Sequence, residues 1–154
     1  MTPTWLVQAL AREVGLKGSM DNQNDDKLAI KAVWQQALEA LARCDWEAYS
    51  SLWIHEDYVQ AVHPATCSWW IGWAEVGARY PSILEKGIPI HGRTSRMEVH
   101  VAKARNMAWA VMDSEVRTGK TGYRSAWQVV VFERTDDQWR IALAFDAPTR
   151  SMKK

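Results

Sequence analysis

The feature that most constrains the fold is the order of the predicted elements, in which helices precede a long run of strands. An amphipathic helix ends near Arg43, and a second, short helix begins at Asp45. One strand then leads into residues 62–64, and a third helix opens at residues 71–76. From Gly92 onward, apolar and polar residues alternate, which is typical of strands. Helices gathered on one face of an antiparallel sheet predict an α+β fold, in which a curved sheet leaves a hollow.

The N-terminal region is predicted to be separate from the body of the protein. One apolar stripe at helical spacing predicts the first helix of the body over about residues 26–43. A shorter apolar pattern before it predicts another helix that stops near Gly15. Residues 18–26 are polar, as is typical of a loop. We therefore predict a helical appendage and linker over residues 1–24 and one domain over residues 25–154.

Charge, hydropathy and ligand spacing exclude several classes of partner. The 154 residues carry 19 Lys and Arg against 18 Asp and Glu, so the net charge is +1 rather than the strong basic excess of a nucleic-acid interface. No apolar run is long enough to span a membrane, and no signal-peptide pattern opens the sequence. Neither the histidines nor Cys44 and Cys67 have metal-ligand spacing. We expect a cytoplasmic protein without metal, cofactor, nucleic acid or membrane as partners.

Large apolar side chains are abundant, and their role has two interpretations. The chain contains ten tryptophans, each of which can bury a large area and carries one N–H group. They either build a core and a dimer interface or form the walls of a ligand cavity. The composition leaves both interpretations open.

The two last predicted strands, residues 125–134 and 139–145, carry a continuous apolar face. Its members are Trp127, Val129, Val131, Trp139, Ile141, Leu143 and Phe145. A helix layer covers only one side of a sheet, so apolar residues on the other side predict a homodimer through the outer sheet face. In the hairpin loop before these strands, Arg117, Lys120 and Arg124 are typical of a solvated turn.

Several short segments together resemble one superfamily. They are Asp45–Trp46, residues 62–64, residues 71–76, residues 131–134 and residues 139–141. Over about residues 27–149 the chain resembles the nuclear transport factor 2-like superfamily and, within it, the SnoaL-like group. The resemblance implies a cone-shaped cavity between helices and sheet, and a dimer through the outer sheet face. It leaves the activity open, because the superfamily includes isomerases, dehydratases, epoxide hydrolases, polyketide cyclases and non-catalytic assembly domains.

The resemblance also implies that two known versions of the pocket are incomplete here. In ketosteroid isomerase-like members the general base aligns with His63, the oxyanion-stabilising acid aligns near Val130, and the helix tyrosine aligns near Ala37. Because valine and alanine cannot donate hydrogen bonds, two of these three roles are empty. In the association domain of calcium/calmodulin-dependent protein kinase II, the two pocket arginines align with Asp146 and Val130, so that anion-binding pocket is not implied.

Two titratable residues are the candidate catalytic groups. His63 can exchange protons near neutral pH, and Asp146 shares a predicted strand face with Arg140, Ala142 and Ala144. We hypothesise a His63–Asp146 dyad in which the carboxylate orients the imidazole. The alternatives are a histidine that bonds a backbone carbonyl and a surface aspartate in a loose ion pair. The candidate ligand-binding residues are Trp73, Tyr80, Gln128, Val130 and Arg140.

The sequence therefore predicts a protein that binds a small hydrophobic molecule. A cofactor-independent isomerase, lyase or cyclase reaction is the candidate activity. The alternative is a non-catalytic dimerisation or assembly module, and ordinary packing would then account for the candidate ligand-binding residues.

Overall fold

The computed structural model of the protein describes residues 4–63 and 68–148, with side chains described for residues 22–62 and 68–147. Helices come first and strands dominate the second half, as the sequence predicts. The elements are α1 (Thr4–Ala42), α2 (Trp46–Ser51), β1 (Gln60–His63), β2 (Ser68–Ile71), α3 (Trp73–Leu84), β3 (Ile90–Val101), β4 (Met107–Thr118), β5 (Arg124–Thr135) and β6 (Gln138–Pro148).

The described strands form one sheet of six strands in the order β2-β1-β6-β5-β4-β3. Neighbours pair antiparallel except for β1, which runs parallel to β6. Helix α1 packs against β3 and β6, and α3 packs against β1 and β2. The predicted α+β fold, a curved and mostly antiparallel sheet wrapped on helices, is therefore confirmed. Within the described residues, no helix combines the length and apolar character needed to cross a membrane.

Helix α1 is continuous from Thr4 to Ala42, so the prediction of a loop over residues 18–26 was wrong. Contacts with the β3–β4 turn hold this part of the helix. The Arg105 guanidinium donates to the backbone oxygen of Asn22 over 3.3 Å and to the Asp26 carboxylate over 2.6 Å. Such tertiary contacts outweigh the weak helix propensity of a polar segment. The division of the chain at residue 24 stays a prediction.

The core fills the space between the helices and the inner face of the sheet. Apolar side chains from the three helices and from the sheet are packed there with little access to solvent. Those that are at most 2% exposed are Ile30, Ala37, Ala40, Tyr49, Trp53, Val59, Ala61, Val76, Leu84, Ala108, Ala110, Met112, Val130, Phe132 and Ile141.

A β-bulge interrupts the last hairpin, and the residues of β6 before and after it alternate between the two faces of the sheet in opposite order. Val131 pairs with Leu143, but the next residue, Phe132, pairs with Ile141. Ala142 is therefore the extra residue on β6. Odd-numbered residues face the core before it and the outer surface after it.

Because of the bulge, simple alternation assigns the β6 residues before Ala142 to the wrong face of the sheet. Trp139 and Ile141 lie on the inner face, where they are 6% and 0% exposed, and not on the outer face as predicted. Arg140 pairs with Glu133 on the outer face and donates to Gln138 over 3.4 Å. The prediction that Arg140 shares a face with Ala142 and Asp146 was therefore wrong, because residues on opposite sides of a bulge no longer follow one alternation.

The outer face of the sheet is apolar across most of its width. One row of directly opposed residues crosses five strands and consists of Trp69, Val62, Phe145, Val129 and Val111. The large apolar residues exposed on this face, between 37% and 61%, are Trp69, Ile71, Met107, Trp109, Val111, Trp127 and Phe145. The homodimer predicted through this face stays a prediction.

Candidate functional site

A cavity of about 80 Å³ lies between the helices and the inner face of the sheet. It has room for several water molecules or for part of a small organic molecule. Its lining is apolar toward the helices and includes polar groups on β5 and β6. The lining residues are Trp34, Leu38, Leu41, Tyr49, Tyr80, Ile90, Gly92, Val116, Thr118, Arg124, Ser125, Ala126, Gln128, Ala144 and Asp146.

The polar side of the cavity is a pair of residues on the last hairpin. Gln128 of β5 and Asp146 of β6 lie directly opposite each other, so their side chains project from the same face. The Gln128 amide nitrogen donates to Asp146 Oδ1 over 2.8 Å. Both residues line the cavity, and Gln128 is only 4% exposed. The hydrogen bond therefore fixes the orientation of the carboxylate toward a largely dry space.

Burial raises the pKa of the Asp146 carboxyl from its ordinary value of 3.8 to about 6. The charged form loses hydration in the cavity, and the single hydrogen bond from Gln128 lowers the pKa by less than burial raises it. A carboxyl group with this pKa is present in both protonation states near neutral pH. It can therefore accept or donate a proton in a reaction.

The other end of the Gln128 amide lacks a partner within the described part of the chain. Its oxygen, Oε1, is buried and accepts no hydrogen bond there. A buried amide oxygen without a donor is energetically unfavourable, and such groups are usually satisfied by protein, water or ligand. The site therefore has an acceptor available for a donor that enters the cavity.

Two tyrosines on the helices complete the polar lining. The rings of Tyr49 and Tyr80 meet edge to face, with centroids 5.0 Å apart, and their side chains share a hydrogen bond. Burial raises the pKa of both phenols above the ordinary value of 10, and the nearby Asp146 charge adds to this shift. Both hydroxyl groups therefore stay protonated and act as hydrogen-bond donors at any physiological pH.

The tryptophans contribute mainly to packing. Among those with described side chains, Trp34 lines the cavity, and its indole nitrogen donates to Thr94 over 3.4 Å. Trp46 and Trp73 stack on each other with centroids 5.8 Å apart, behind the cavity tyrosines. Trp5 lies outside the residues whose side chains are described. Within the described chain, the walls of the cavity are thus mostly aliphatic and tyrosine side chains.

Of the predicted ligand-binding residues, Tyr80 and Gln128 lie at the cavity and three do not. Val130 is completely buried in the core next to it. Trp73 lies outside the cavity and stacks on the exposed His55, with ring centroids 4.0 Å apart. Arg140 lies on the opposite face of the sheet because of the bulge. The structure thus brings Tyr80, Gln128 and the predicted catalytic residue Asp146 together.

The second predicted catalytic residue, His63, has its backbone at the end of β1, opposite Ser68. Its side chain lies outside the described residues. The dyad of His63 and Asp146 therefore stays a hypothesis.

Tyr49 and Arg124 line the cavity but are not among the predicted site residues. The sequence indicated a solvated hairpin turn for Arg124. Arg124 has the same strand parity as Ala126 and Gln128, which places it on the inner face at the end of β5. Strand parity was thus a signal for Arg124, whereas the position of Tyr49 depends on how α2 packs.

Metal ligands are not assembled in the part of the chain that the structure describes. The described residues contain no group of three His, Cys, Asp or Glu side chains that could hold an ion. Among the described side chains that line the cavity, Asp146, Tyr49 and Tyr80 are the groups able to exchange or donate a proton.

Comparisons with known proteins identify the family and the fold. A family model described as a SnoaL-like domain matches residues 30–143. No curated protein sequence matches the chain. Solved structures with the same fold include a proposed dehydratase of the nuclear transport factor 2-like family from Streptomyces avermitilis. It is 21% identical with a TM-score of 0.72, and the match covers 83% of this chain and 99% of that one.

Two further solved structures have the same fold. A nuclear transport factor 2-like superfamily protein from Salmonella enterica is 16% identical with a TM-score of 0.73, covering 85% of this chain and 96% of that one. A proposed calcium/calmodulin-dependent protein kinase type II association domain from Thiobacillus denitrificans is 18% identical with a TM-score of 0.63, covering 78% and 94%. At these identities the likeness establishes the fold and leaves the activity open.

Proposed function

The chain belongs to the SnoaL-like domain family, and from that membership we propose that its cavity binds a small, mainly apolar molecule and exchanges a proton with it. The observation that carries the proposal is Asp146, a cavity carboxyl group whose pKa is raised to about 6. Perturbed titratable groups in concave sites are frequent at catalytic centres.

The arrangement suits reactions that need proton transfer and no cofactor. Isomerases, lyases and cyclases of this kind remove a proton from carbon or oxygen and return it elsewhere. Asp146 is the proposed base and acid. Tyr49 and Tyr80 both remain protonated, and one hydroxyl group donates to the other. The pair therefore has one O–H left, which is the proposed donor to an oxygen that gains negative charge.

We propose His63 as the second proton-handling group, and the pairing of its strand, β1, with the strand of Asp146, β6, supports this role. Strand β1 pairs with β6 from Ala61 opposite Ala144 to Val62 opposite Phe145. Extending this register by one residue brings the His63 backbone to the level of Asp146. If the imidazole acts with the carboxylate, His63→Ala will lower the rate of proton exchange without preventing ligand binding.

A ligand screen with pH as a variable tests the proposal. Library compounds with aromatic and polycyclic skeletons are added to the full chain, and melting temperature is followed against ligand concentration. We expect hits whose affinity differs between pH 5 and pH 8 in the parent protein but not in Asp146→Asn. The matched control is Asp113→Asn, which changes an exposed aspartate on the outer sheet face. Hits whose affinity keeps the same pH dependence in Asp146→Asn would contradict the role of this carboxyl.

Catalysis is tested separately from binding. A hit is incubated in D₂O with the protein, and incorporation of deuterium at carbon is followed by NMR. We expect incorporation with the parent protein and with Asp113→Asn, and a loss of at least about 100-fold with Asp146→Asn, the range typical of a missing general base. Equal incorporation with all three proteins would contradict the proposed reaction.

We further propose that the protein is a homodimer through the outer sheet face. The continuous apolar row across five strands is larger than the isolated apolar residues common on monomer surfaces. Light scattering at micromolar concentration is expected to give twice the subunit mass. Val111→Glu, at the β4 end of the row, should give a monomer, whereas Lys103→Glu in the β3–β4 turn should not. A parent protein with the mass of one subunit would contradict the dimer.

The second candidate function is a non-catalytic assembly module, which the extent of the apolar outer face favours. In that case the dimer persists, no library compound raises the melting temperature, and Asp146→Asn shows no ligand-dependent effect. Removal of residues 1–20 that dissociates a larger oligomer would add support to this second function.

A further inference from the structure

We propose that the ligand of this cavity is a small apolar acid, whose anionic group binds Arg124 at the mouth and whose hydrogen-bond donor reaches Gln128 inside. The inference deepens the proposed function and rests on it, because it assigns the class of molecule that the same cavity takes. It depends on three observations. The mouth of the cavity is an open groove, and an arginine there and a buried acceptor inside both lack a partner among the residues that the structure describes.

The cavity opens into a groove between two loops. The groove has a volume of about 890 Å³ and is lined by the α3–β3 connection, residues 87–89, and by the β4–β5 hairpin, residues 118–124. Thr118 and Arg124 line both the groove and the cavity, so a ligand can extend from one into the other. The groove is therefore the mouth of the cavity.

The charge at this mouth is positive. Lys120 and Arg124 line the groove, and the described residues of its lining include no carboxylate. A cleft lined by charge of one sign attracts ligands of the opposite sign and raises their association rate. The mouth therefore favours an anionic ligand over a neutral one.

Among the described guanidinium groups near the mouth, Arg124 is the one that lines both the groove and the cavity. Arg93 and Arg117 lie over the ring of Tyr123, at 4.1 and 5.0 Å from its centroid. Arg124 makes no hydrogen bond or ion pair within the described part of the chain, and strand parity places it on the cavity face with Gln128. Its planar guanidinium can bind a carboxylate through two parallel hydrogen bonds.

The inner end of the cavity favours a neutral hydrogen-bond donor over an anion. Gln128 Oε1 is buried without a donor, and its amide nitrogen already bonds Asp146. A second anion would be repelled by the Asp146 carboxylate, whereas a hydroxyl or N–H group would satisfy Gln128. The backbones of Arg124 and Gln128 are about 13 Å apart along the strand. Both have long side chains that line the cavity, so a single-ring acid fits between their polar ends with its anion outward.

Three matched compounds test this orientation by isothermal titration calorimetry with the full chain at pH 8. They are 4-hydroxyphenylacetate, its uncharged analogue 4-hydroxyphenylacetamide, and phenylacetate, which lacks the ring hydroxyl. We expect the hydroxy acid to bind about tenfold more tightly than either analogue, since each analogue loses one hydrogen bond, in one case charge-assisted.

Variants separate the role of Arg124 from general electrostatics. Arg124→Gln is expected to reduce the affinity for 4-hydroxyphenylacetate about tenfold and to leave the affinity for the amide unchanged. Lys120→Gln should have a smaller effect, about twofold, because an exposed charge acts mainly through the screened field. The control is Arg96→Gln, an exposed arginine paired with Glu98 at 3.3 Å on the outer sheet face, which should change nothing.

The results distinguish this inference from the proposed function. Equal binding of acid and amide, or an Arg124→Gln effect no larger than that of Arg96→Gln, would overturn the assignment of the anion site. If none of the three compounds binds while other compounds still bind with Asp146-dependent affinity, the acid class is wrong and the proposed function stands. If no compound of any kind binds, both are wrong.

Discussion

Asp26 and Asp146 are two aspartates with limited exposure to solvent, and they differ in the partners of their carboxylates. Asp26, on helix α1, accepts hydrogen bonds from three side chains. They are Arg105 at 2.6 Å, Arg134 at 3.4 Å and the indole of Trp139 at 3.4 Å. The hydrogen bond from Arg105 is the main cause of a lowered pKa, and it outweighs the effect of desolvation. Asp26 is thus a fixed negative charge that attaches α1 to the end of the sheet.

Asp146 has one neutral partner, the amide of Gln128, and no cation within the described residues. Its pKa is therefore raised by burial, in the opposite direction from that of Asp26. The comparison shows that burial alone does not decide the role of a carboxylate. A compensated charge stabilises the fold, whereas an uncompensated one retains a proton close to neutral pH and remains available for chemistry.

The largest effect is expected from removal of the charge of Asp26. Asp26→Asn removes the carboxylate partner of Arg105 and leaves Arg134 with the exposed Asp137, at 3.6 Å, as its remaining partner. The free energy of unfolding should therefore fall by about 3 kcal/mol at pH 7. Because the pKa of Asp26 is lowered in the folded state, this contribution is present above the ordinary pKa of 3.8 and is lost as the pH falls through the folded value.

Urea unfolding at pH 7 measures this loss. Asp25→Asn, a change at the exposed neighbouring position, is the control and should stay within about 0.5 kcal/mol of the parent protein. A cost for Asp26→Asn as small as that of the control would show that the ion network contributes little to the fold.

The second effect has the opposite sign. Asp146→Asn keeps the shape of the side chain but removes a charge that the cavity disfavours, so it should raise the free energy of unfolding by about 2 kcal/mol at pH 8. A raised pKa means that the folded state holds the proton more tightly than the unfolded chain. The advantage of the variant is therefore full above pH 6, falls between pH 6 and 3.8, and is absent below that range.

Urea unfolding of parent and variant between pH 4 and pH 8 checks this prediction, with Asp113→Asn as the exposed control. If Asp146→Asn destabilised the protein at pH 8, the carboxylate would be a compensated structural charge like that of Asp26.

The smallest effect concerns the one hydrogen bond that opposes the shift of Asp146. Gln128→Met removes the amide that stabilises the ionised form, so the pKa of Asp146 should rise further, by about one unit. Carboxyl-carbon NMR titration measures the change. Gln138→Met, at the exposed start of β6, is the control and should leave that pKa unchanged. A fall in the pKa would mean that Gln128 does not stabilise the carboxylate.

The sequence predicted the fold better than the site, for reasons visible in particular residues. Hydrophobic periodicity identified the helices and the long strands of the second half but missed β2. Strand parity placed Gln128 and Asp146 on the cavity face. The same parity failed for Arg140, because the bulge at Ala142 has no Gly or Pro to mark it. The continuity of α1 was missed because it depends on Arg105, a residue 79 positions from its partner Asp26.

The Arg124 assignment failed for another reason. Basic residues in a hairpin indicate a solvated turn when only the composition of the loop is considered. Whether such a residue also lines a cavity depends on where the hairpin meets the α3–β3 connection, which is a property of tertiary packing.

The most direct test of this account is a carboxyl-carbon NMR titration of the ligand-free parent protein, in which Asp26 and Asp146 are assigned through their Asn variants. We expect Asp146 to titrate near pH 6 and Asp26 to titrate below the ordinary value of 3.8. An Asp146 signal that titrates near pH 4 would contradict the central claim, since the cavity would then hold an ordinary carboxylate.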